Sequence, residues 1–213
     1  MILIGMFDSP YVRRVAIAMN LLGLPFEHRN WSVGKDFDRI REYSPIGRVP
    51  ALVLDAGEVL AESALILDYL DTLVGPQRAL LPSEGEARRQ ALRLIGLATG
   101  AVDKGITVVM ERVFRPEEKR HAPWTDRCLV QVHGALGELD RHCGERTGQW
   151  LVGDAMTLAD ITVGCNGTYL REAVPLELSG YPALQAQVDR CEALPVFRQF
   201  HLPFDAPTPA ATP

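Results

Sequence analysis

Two serines at the starts of helices are the residues of this chain best placed to do chemistry. Ser9 lies in Phe7-Asp8-Ser9-Pro10-Tyr11-Val12-Arg13-Arg14, after the apolar run Ile2-Leu3-Ile4-Gly5-Met6 and before Val12, Val15, Ala16, Met19 and Leu22 at helical spacing. A serine followed by proline at the first helical position reads as a cap, because its hydroxyl accepts a bond from an orphan backbone amide and proline forfeits nothing there. The same hydroxyl is also suited to steady a bound anion such as a thiolate, since free amides and the helix dipole favour negative charge. Ser63 follows Glu62 and precedes Leu65, Ile66, Tyr69 and Leu70. It too reads either as a cap or as a donor to a ligand carboxylate, with the adjacent acid available to a ligand ammonium. The residues alone leave both alternatives open.

The elements that position these serines follow from patterning. The first run predicts a buried strand and the next a helix ending at Gly23, with Pro25 preventing its continuation. Phe26 to Trp31 fits a strand, so strand, helix and strand form a right-handed crossover with parallel pairing. A weak helix over Phe37 to Tyr43 breaks at Ser44-Pro45-Ile46-Gly47. Pro50 then opens the apolar strand Ala51-Leu52-Val53-Leu54, as suits a residue that cannot donate into a ladder, and a cis bond after Val49 is compatible with so tight a turn. Asp55-Ala56-Gly57-Glu58 predicts a hairpin turn, with Val59 and Leu60 on the return strand. The two serine-started helices thus aim their amides at one edge.

Beyond Gly75-Pro76-Gln77-Arg78 the β signals largely stop. Ser83 and Glu86 have capping-box spacing, opening a helix expected to run to about Phe114. Glu117 to His121 reads as a charged loop, and a helix from Thr125 to about Cys143 carries Leu129, Val132, Leu136 and Leu139 on one face. Thr157 and Asp160 form a second capping box. Pro182 and Pro195 suit two further helix starts, and the Pro-, Ala- and Thr-rich end reads as a disordered tail. The expected domains are 1–75, α/β, then a linker over 76–83, an all-helical domain over 84–202 and a tail over 203–213.

Composition narrows the partners. A chain of 213 residues with 47% hydrophobic content can bury sizeable cores. A net charge of −5 argues against nucleic acid, which is bound by neutralising phosphates, and points to a small ligand. No apolar run approaches the roughly 20 residues that span a bilayer, and the N-terminus lacks a secretory signal, so the expectation is a cytoplasmic protein without a membrane partner. Cys128, Cys143, Cys165 and Cys191 show neither a CxxC pair nor zinc-ligand spacing with histidine, and are expected to be buried thiols with no metal.

Taken together and in order, Ser9-Pro10, Val49-Pro50, Glu62-Ser63 and the Thr157 to Asp160 box resemble the cytosolic glutathione S-transferase family over nearly the whole chain. That resemblance implies a thioredoxin-like N-terminal domain followed by an all-helical domain, a homodimer, and conjugation of glutathione to small hydrophobic electrophiles. By the resemblance, Ser9 faces the sulfur, Val49 before the cis Pro50 pairs its backbone with the cysteinyl part, and Glu62 and Ser63 hold the γ-glutamyl end. Arg48 is the candidate for the glycyl carboxylate, an exposed turn residue being the alternative, and Asp103 is the candidate reaching into the partner subunit's glutathione site. Tyr11, Met110 and Phe114 are candidates for an electrophile pocket, with simple core packing the other reading. Ser9-Pro10-Tyr11-Val12 stands where thioredoxins and glutaredoxins carry CxxC, so dithiol exchange is not expected. The serine-rich, cysteine-containing signature of maleylacetoacetate isomerase relatives is absent, leaving a serine-type transferase of unassigned subclass. A non-catalytic binding or regulatory protein on the same fold, as in stringent-starvation relatives, is the competing reading, and retained Ser9, Glu62 and Ser63 weigh against it.

Overall fold

The computed structural model describes residues 1–174 and 176–206. Contacts divide the chain into two compact units, Met1–Leu80 together with the segment beginning at Pro195, and Leu81–Leu194.

The first unit is built on a four-stranded sheet of order β2-β1-β3-β4. Strand β1 (Ile2–Ile4) pairs in parallel with β2 (Glu27–Arg29) and antiparallel with β3 (Ala51–Val53), which pairs antiparallel with β4 (Val59–Ala61). Helix α1 (Pro10–Leu21) makes the crossover between the parallel strands, and Gly23 follows its end at φ +67°. The short α2 (Phe37–Arg41) and the twelve-residue α3 (Ser63–Val74) complete the α/β part. Leu3, Ile4, Ala51 and Leu52 are buried as consecutive residues, so β1 and β3 are covered on both faces as their unbroken apolar runs require, and Val12, Val15, Ala16, Met19, Ile66 and Leu70 are buried at helical spacing. The Val49–Pro50 peptide is cis.

The second unit is helical. Its long helix α4 (Gly85–Phe114) runs unbroken for 30 residues through Gly96, Gly100 and Gly105, a length of about 45 Å at the α-helical rise. At Gly105 an added Cβ would fall 2.7 Å from Leu170, so the glycine is what lets this helix approach α6 (Leu158–Ala173). Helix α5 (Ala122–Glu145) and α7 (Pro182–Glu192) complete the unit, and α6 is buried along nearly its whole length. Its start is the predicted capping box, with Thr157 Oγ1 accepting from Ala159 N–H and Asp160 accepting from Thr157 N–H. Among the described residues no helix is long and apolar enough to cross a membrane, and no group of three metal-binding side chains is arranged to hold an ion.

Several expectations require correction. The Ser83–Glu86 capping box does not form: Glu84 is the residue before α4, no side chain caps it, and Glu86 instead accepts from Arg89 and Gln90 on its own helix. Exposed guanidinium and amide donors one turn away outcompete the cap. Ser63 is not a cap either, because Glu62 occupies that position and Ser63 is already helical. The expected linker is partly built into the first unit, where Leu80 N–H bonds Asp71 Oδ1 at 2.8 Å and the Arg78 guanidinium bonds Leu22 O. The segment from Pro195, assigned to the helical domain, belongs with the first unit: α8 (Pro195–Gln199) buries Phe197 completely, and Arg13 of α1 donates to Phe197 O at 2.8 Å. Of the expected tail, residues 203–206 are described and attached through Asp205, while 207–213 lie outside the described residues.

All four cysteines are buried and unpaired by disulfide. Burial pushes the Cys143 thiol up to about 11 and lifts that of Cys191 as well, the opposite of what a reactive thiolate needs.

Candidate active site

Ser9 occupies the junction between β1 and α1 in extended backbone (φ −70°, ψ 121°), and its Oγ accepts Val12 N–H at 3.5 Å. Pro10 follows as the first helical residue, so the helix opens as its sequence predicts. The cap uses only the acceptor side of the hydroxyl, and the O–H proton stays available to an incoming anion. Asp8, beside it, is half-buried, and burial raises its carboxyl above the ordinary aspartate value.

Gly5 joins this turn to the loop carrying Val49 and Pro50. Its φ is +131°, and a Cβ there would lie 2.5 Å from Val12 Cγ2 and 2.8 Å from Val49 Cβ. No other residue permits so close an approach of the first turn of α1 to the cis-proline loop. Its backbone is also fixed on the other side, where Gly5 N–H donates to Arg29 O at 3.0 Å and His28 Nε2 donates to Gly5 O at 2.8 Å. Val49 precedes the first pair of the ladder, Ile4 with Ala51.

The Glu62–Ser63 corner is the second half of the site. Glu62 has φ +70°, the only described non-glycine residue with positive φ, a conformation that costs on the order of 1–3 kcal/mol and concentrates at ligand sites. Its carboxylate pairs with Arg48 at 3.0 Å, with both side chains about half exposed. The pair therefore stays open to exchange for ligand groups. Ser63 is buried, and its Oγ accepts two bonds from Arg14, at 3.1 Å from Nε and 2.6 Å from Nη2. Arg14 is itself only 2% exposed and lies 5.4 Å over the ring of Tyr11.

Sequence reasoning missed Arg14. The available signal was two adjacent arginines inside an otherwise apolar helix, since arginine is almost never buried without a partner. The structure thus brings Ser9, Val49, Pro50, Arg48, Glu62 and Ser63 to one part of the first unit, with Tyr11 half-buried beneath Arg14. Asp103, Met110 and Phe114 belong to α4 of the second unit and recur on one side of it. There Asp103 and Phe114 are exposed and Met110 is half-buried, so simple core packing does not account for Phe114.

Comparison with known proteins follows the same division. Residues 3–78 match the glutathione S-transferase N-terminal domain and 102–195 the glutathione S-transferase C-terminal domain. A maleylacetoacetate isomerase from Pseudomonas aeruginosa is 30% identical over 93% of this chain and 94% of its own. The chain belongs to the glutathione S-transferase family. Among solved members, a glutathione S-transferase from Methylobacterium radiotolerans, in complex with glutathione sulfonate, superposes with a TM-score of 0.86 at 34% identity, covering 99% of this chain and 96% of that one. Another, from Methylobacillus flagellatus with glutathione bound, gives 0.84 at 26% identity over 98% and 99%. The small mixed sheet followed by a helical domain is the fold of this family.

Proposed function

We propose that this family member is a cytoplasmic glutathione transferase that activates the glutathione thiol with Ser9 and joins it to small electrophiles. The observation that carries the reading is that among the described residues both serine hydroxyls serve only as acceptors: Ser9 Oγ takes the Val12 amide and Ser63 Oγ takes Arg14. Each keeps its own proton to donate, Ser9 toward a thiolate and Ser63 toward a carboxylate. Glu62 supplies an acceptor for the γ-glutamyl ammonium and Arg48 a cation for the glycyl carboxylate. The Val49 backbone, lying outside the ladder, pairs with the cysteinyl peptide. Asp103 contributes across a homodimer, and Tyr11, Met110 and Phe114 face the electrophile. A free thiol with a pKa of about 8.5 is only a few per cent thiolate near neutral pH, so a donor and a helix start at the sulfur raise the reactive fraction. The thiolate attacks the electrophilic carbon, the carbon–sulfur bond forms, and the leaving group departs with its electron pair.

A glutathione-dependent isomerase is the second reading, favoured by the 30% identity to a maleylacetoacetate isomerase. There the same thiolate adds to a double bond and leaves again, so turnover consumes no glutathione. Product analysis separates the two reactions.

Calorimetric titration with glutathione tests the common core of both. Wild type is expected to bind, and Arg14→Lys, which keeps the charge but loses the two-pronged contact with Ser63, is expected to bind about tenfold more weakly, a cost of about 1.4 kcal/mol. Absence of wild-type binding returns the chain to the non-catalytic reading. Light scattering is expected to report a dimer, and a monomer at assay concentration removes Asp103 from the site.

A further inference from the structure

Helix α2 is too short to hold itself. Isolated helices shorter than about 12–15 residues are marginal in water, and Phe37–Arg41 has five. The residue before it, Asp36, gives no side-chain cap and instead accepts Ser32 N–H at 3.0 Å. The helix is therefore placed by what its side chains touch. Ile40 is fully buried in a cluster with Ile4 and Ala51, against which Val49 also packs. Phe37, one turn earlier, goes to Gly47 instead: a Cβ on that glycine would lie 2.3 Å from Phe37 Cε2 and 2.9 Å from Cζ.

The ring thus lies on the Gly47 backbone, directly before Arg48, Val49 and Pro50. Gly47 is buried at φ +66°, and its N–H closes a turn onto Ser44 O at 2.7 Å. Both the lack of space and the left-handed backbone require glycine here. The far end of this run is fixed by the close approach of Gly5 to Val49. At the near end Arg48 is about half exposed, and its pair with Glu62 at 3.0 Å is of the weak, solvent-screened kind that does not fix a backbone. A ring packed on the neighbouring residue does. Phe37 is nevertheless 46% exposed, with the Arg41 guanidinium 5.8 Å from its ring centroid. Core packing alone does not account for a phenylalanine that leaves nearly half its surface in water.

We propose that Phe37 is a positioning residue for glutathione: its ring, pressed on Gly47, sets the backbone from which Arg48 and Val49 meet the tripeptide. The inference deepens the glutathione-binding reading above and rests on it. Phe37 acts through Gly47 and not on the tripeptide itself. A loop already held in its bound conformation has less ordering to lose when the ligand arrives, so the ring's contribution is to affinity. The thiol is activated elsewhere, at Ser9, and its acidity is independent of the ring.

The test titrates the full chain with glutathione. Phe37→Ala is expected to raise the Kd about fivefold, while the bound thiol, measured at saturating glutathione, titrates as in wild type. Phe37→Leu, which restores an apolar cover of similar volume, is expected to bring the Kd back to within about twofold of wild type. Gly47→Ala drives a methyl group into the ring and is expected to weaken binding as well. Its effect should be about threefold smaller when introduced into Phe37→Ala, because the obstacle is then gone. A wild-type Kd in Phe37→Ala, a shifted thiol titration in that variant, or equal losses from Gly47→Ala in the two backgrounds each overturn the positioning role and leave the transferase reading standing. Failure of wild type to bind glutathione overturns both.

Discussion

Replacing Ser9 by alanine is expected to slow conjugation roughly a hundredfold at neutral pH, the usual loss when one donor to a developing or resident anion is removed. The sign follows from the bond involved. Ser9 donates to the thiolate and not to the thiol, so its loss raises the pKa of bound glutathione and lowers the reactive fraction at any pH below that pKa. The rate should recover in part as pH rises, because hydroxide then does what the donor did. A spectroscopic titration of the bound thiol checks this directly, and an unchanged titration curve in Ser9→Ala sinks the assigned role. Loss of the cap is a separate and smaller effect, about 1 kcal/mol or less given the long 3.5 Å bond to Val12 N–H. Ser9→Gly separates the two contributions. Glycine caps nearly as well as serine but has no hydroxyl, so it should fold like wild type and conjugate like alanine.

Much of this site was legible because its parts are local. A serine before proline at a helix start, a proline at the first residue of a strand, and an acid-serine pair before an apolar helix are each decided by a few neighbouring residues. What was not legible is long-range. Arg14 and Ser63 are 49 positions apart, and an arginine pair in a helix ordinarily reads as a solvated stripe. Only packing shows that α1 is buried from Val12 to Met19, which takes Arg14 out of water and makes the Ser63 hydroxyl one of its partners. Glu62 presents the same difficulty at the level of the backbone. Its positive φ is imposed by the corner between β4 and α3, and no residue preference for glutamate foretells it. The last segment misled for a third reason. Proline- and alanine-rich composition suggests a tail that cannot pack, yet the aromatic residues just before it, Phe197 and Phe200, dock on the first unit and carry Asp205 to Asp8. The mistaken Ser83 box is instructive by contrast with Thr157. Both have the spacing, but only Thr157 and Asp160 are buried, where water cannot replace the bonds and a cap becomes obligatory.

That burial makes Asp160→Ala the most damaging single change to the fold that the structure identifies. The carboxylate is fully buried and accepts four bonds: Leu151 N–H and Gln187 Nε2 on one oxygen, both at 2.9 Å, and Thr157 N–H at 2.9 Å and Thr157 Oγ1 at 3.2 Å on the other. Gln187 in turn accepts from Arg146 at 2.7 Å, so one side chain ties the start of α6 to the loop at Leu151, to α7 and to the end of α5. Alanine leaves the donors of Leu151 and Gln187 buried and unpaired, and the expected cost is about 3–5 kcal/mol, a large fraction of the 5–15 kcal/mol that holds a typical protein folded. Denaturant unfolding measures it, and a loss under about 1 kcal/mol would show that packing alone positions the loop. The pH dependence gives an independent check. Burial raises the Asp160 carboxyl above its ordinary value despite its donors, so the folded state holds this proton more tightly than the unfolded chain does. Its contribution to stability is therefore complete below the ordinary aspartate value and fades as pH rises through the raised one, the reverse of a carboxylate that folding makes more acidic. Asp160→Asn, which cannot ionise, should keep an acceptor for Leu151 or Thr157, retain part of the stability, and lose that component of the pH profile.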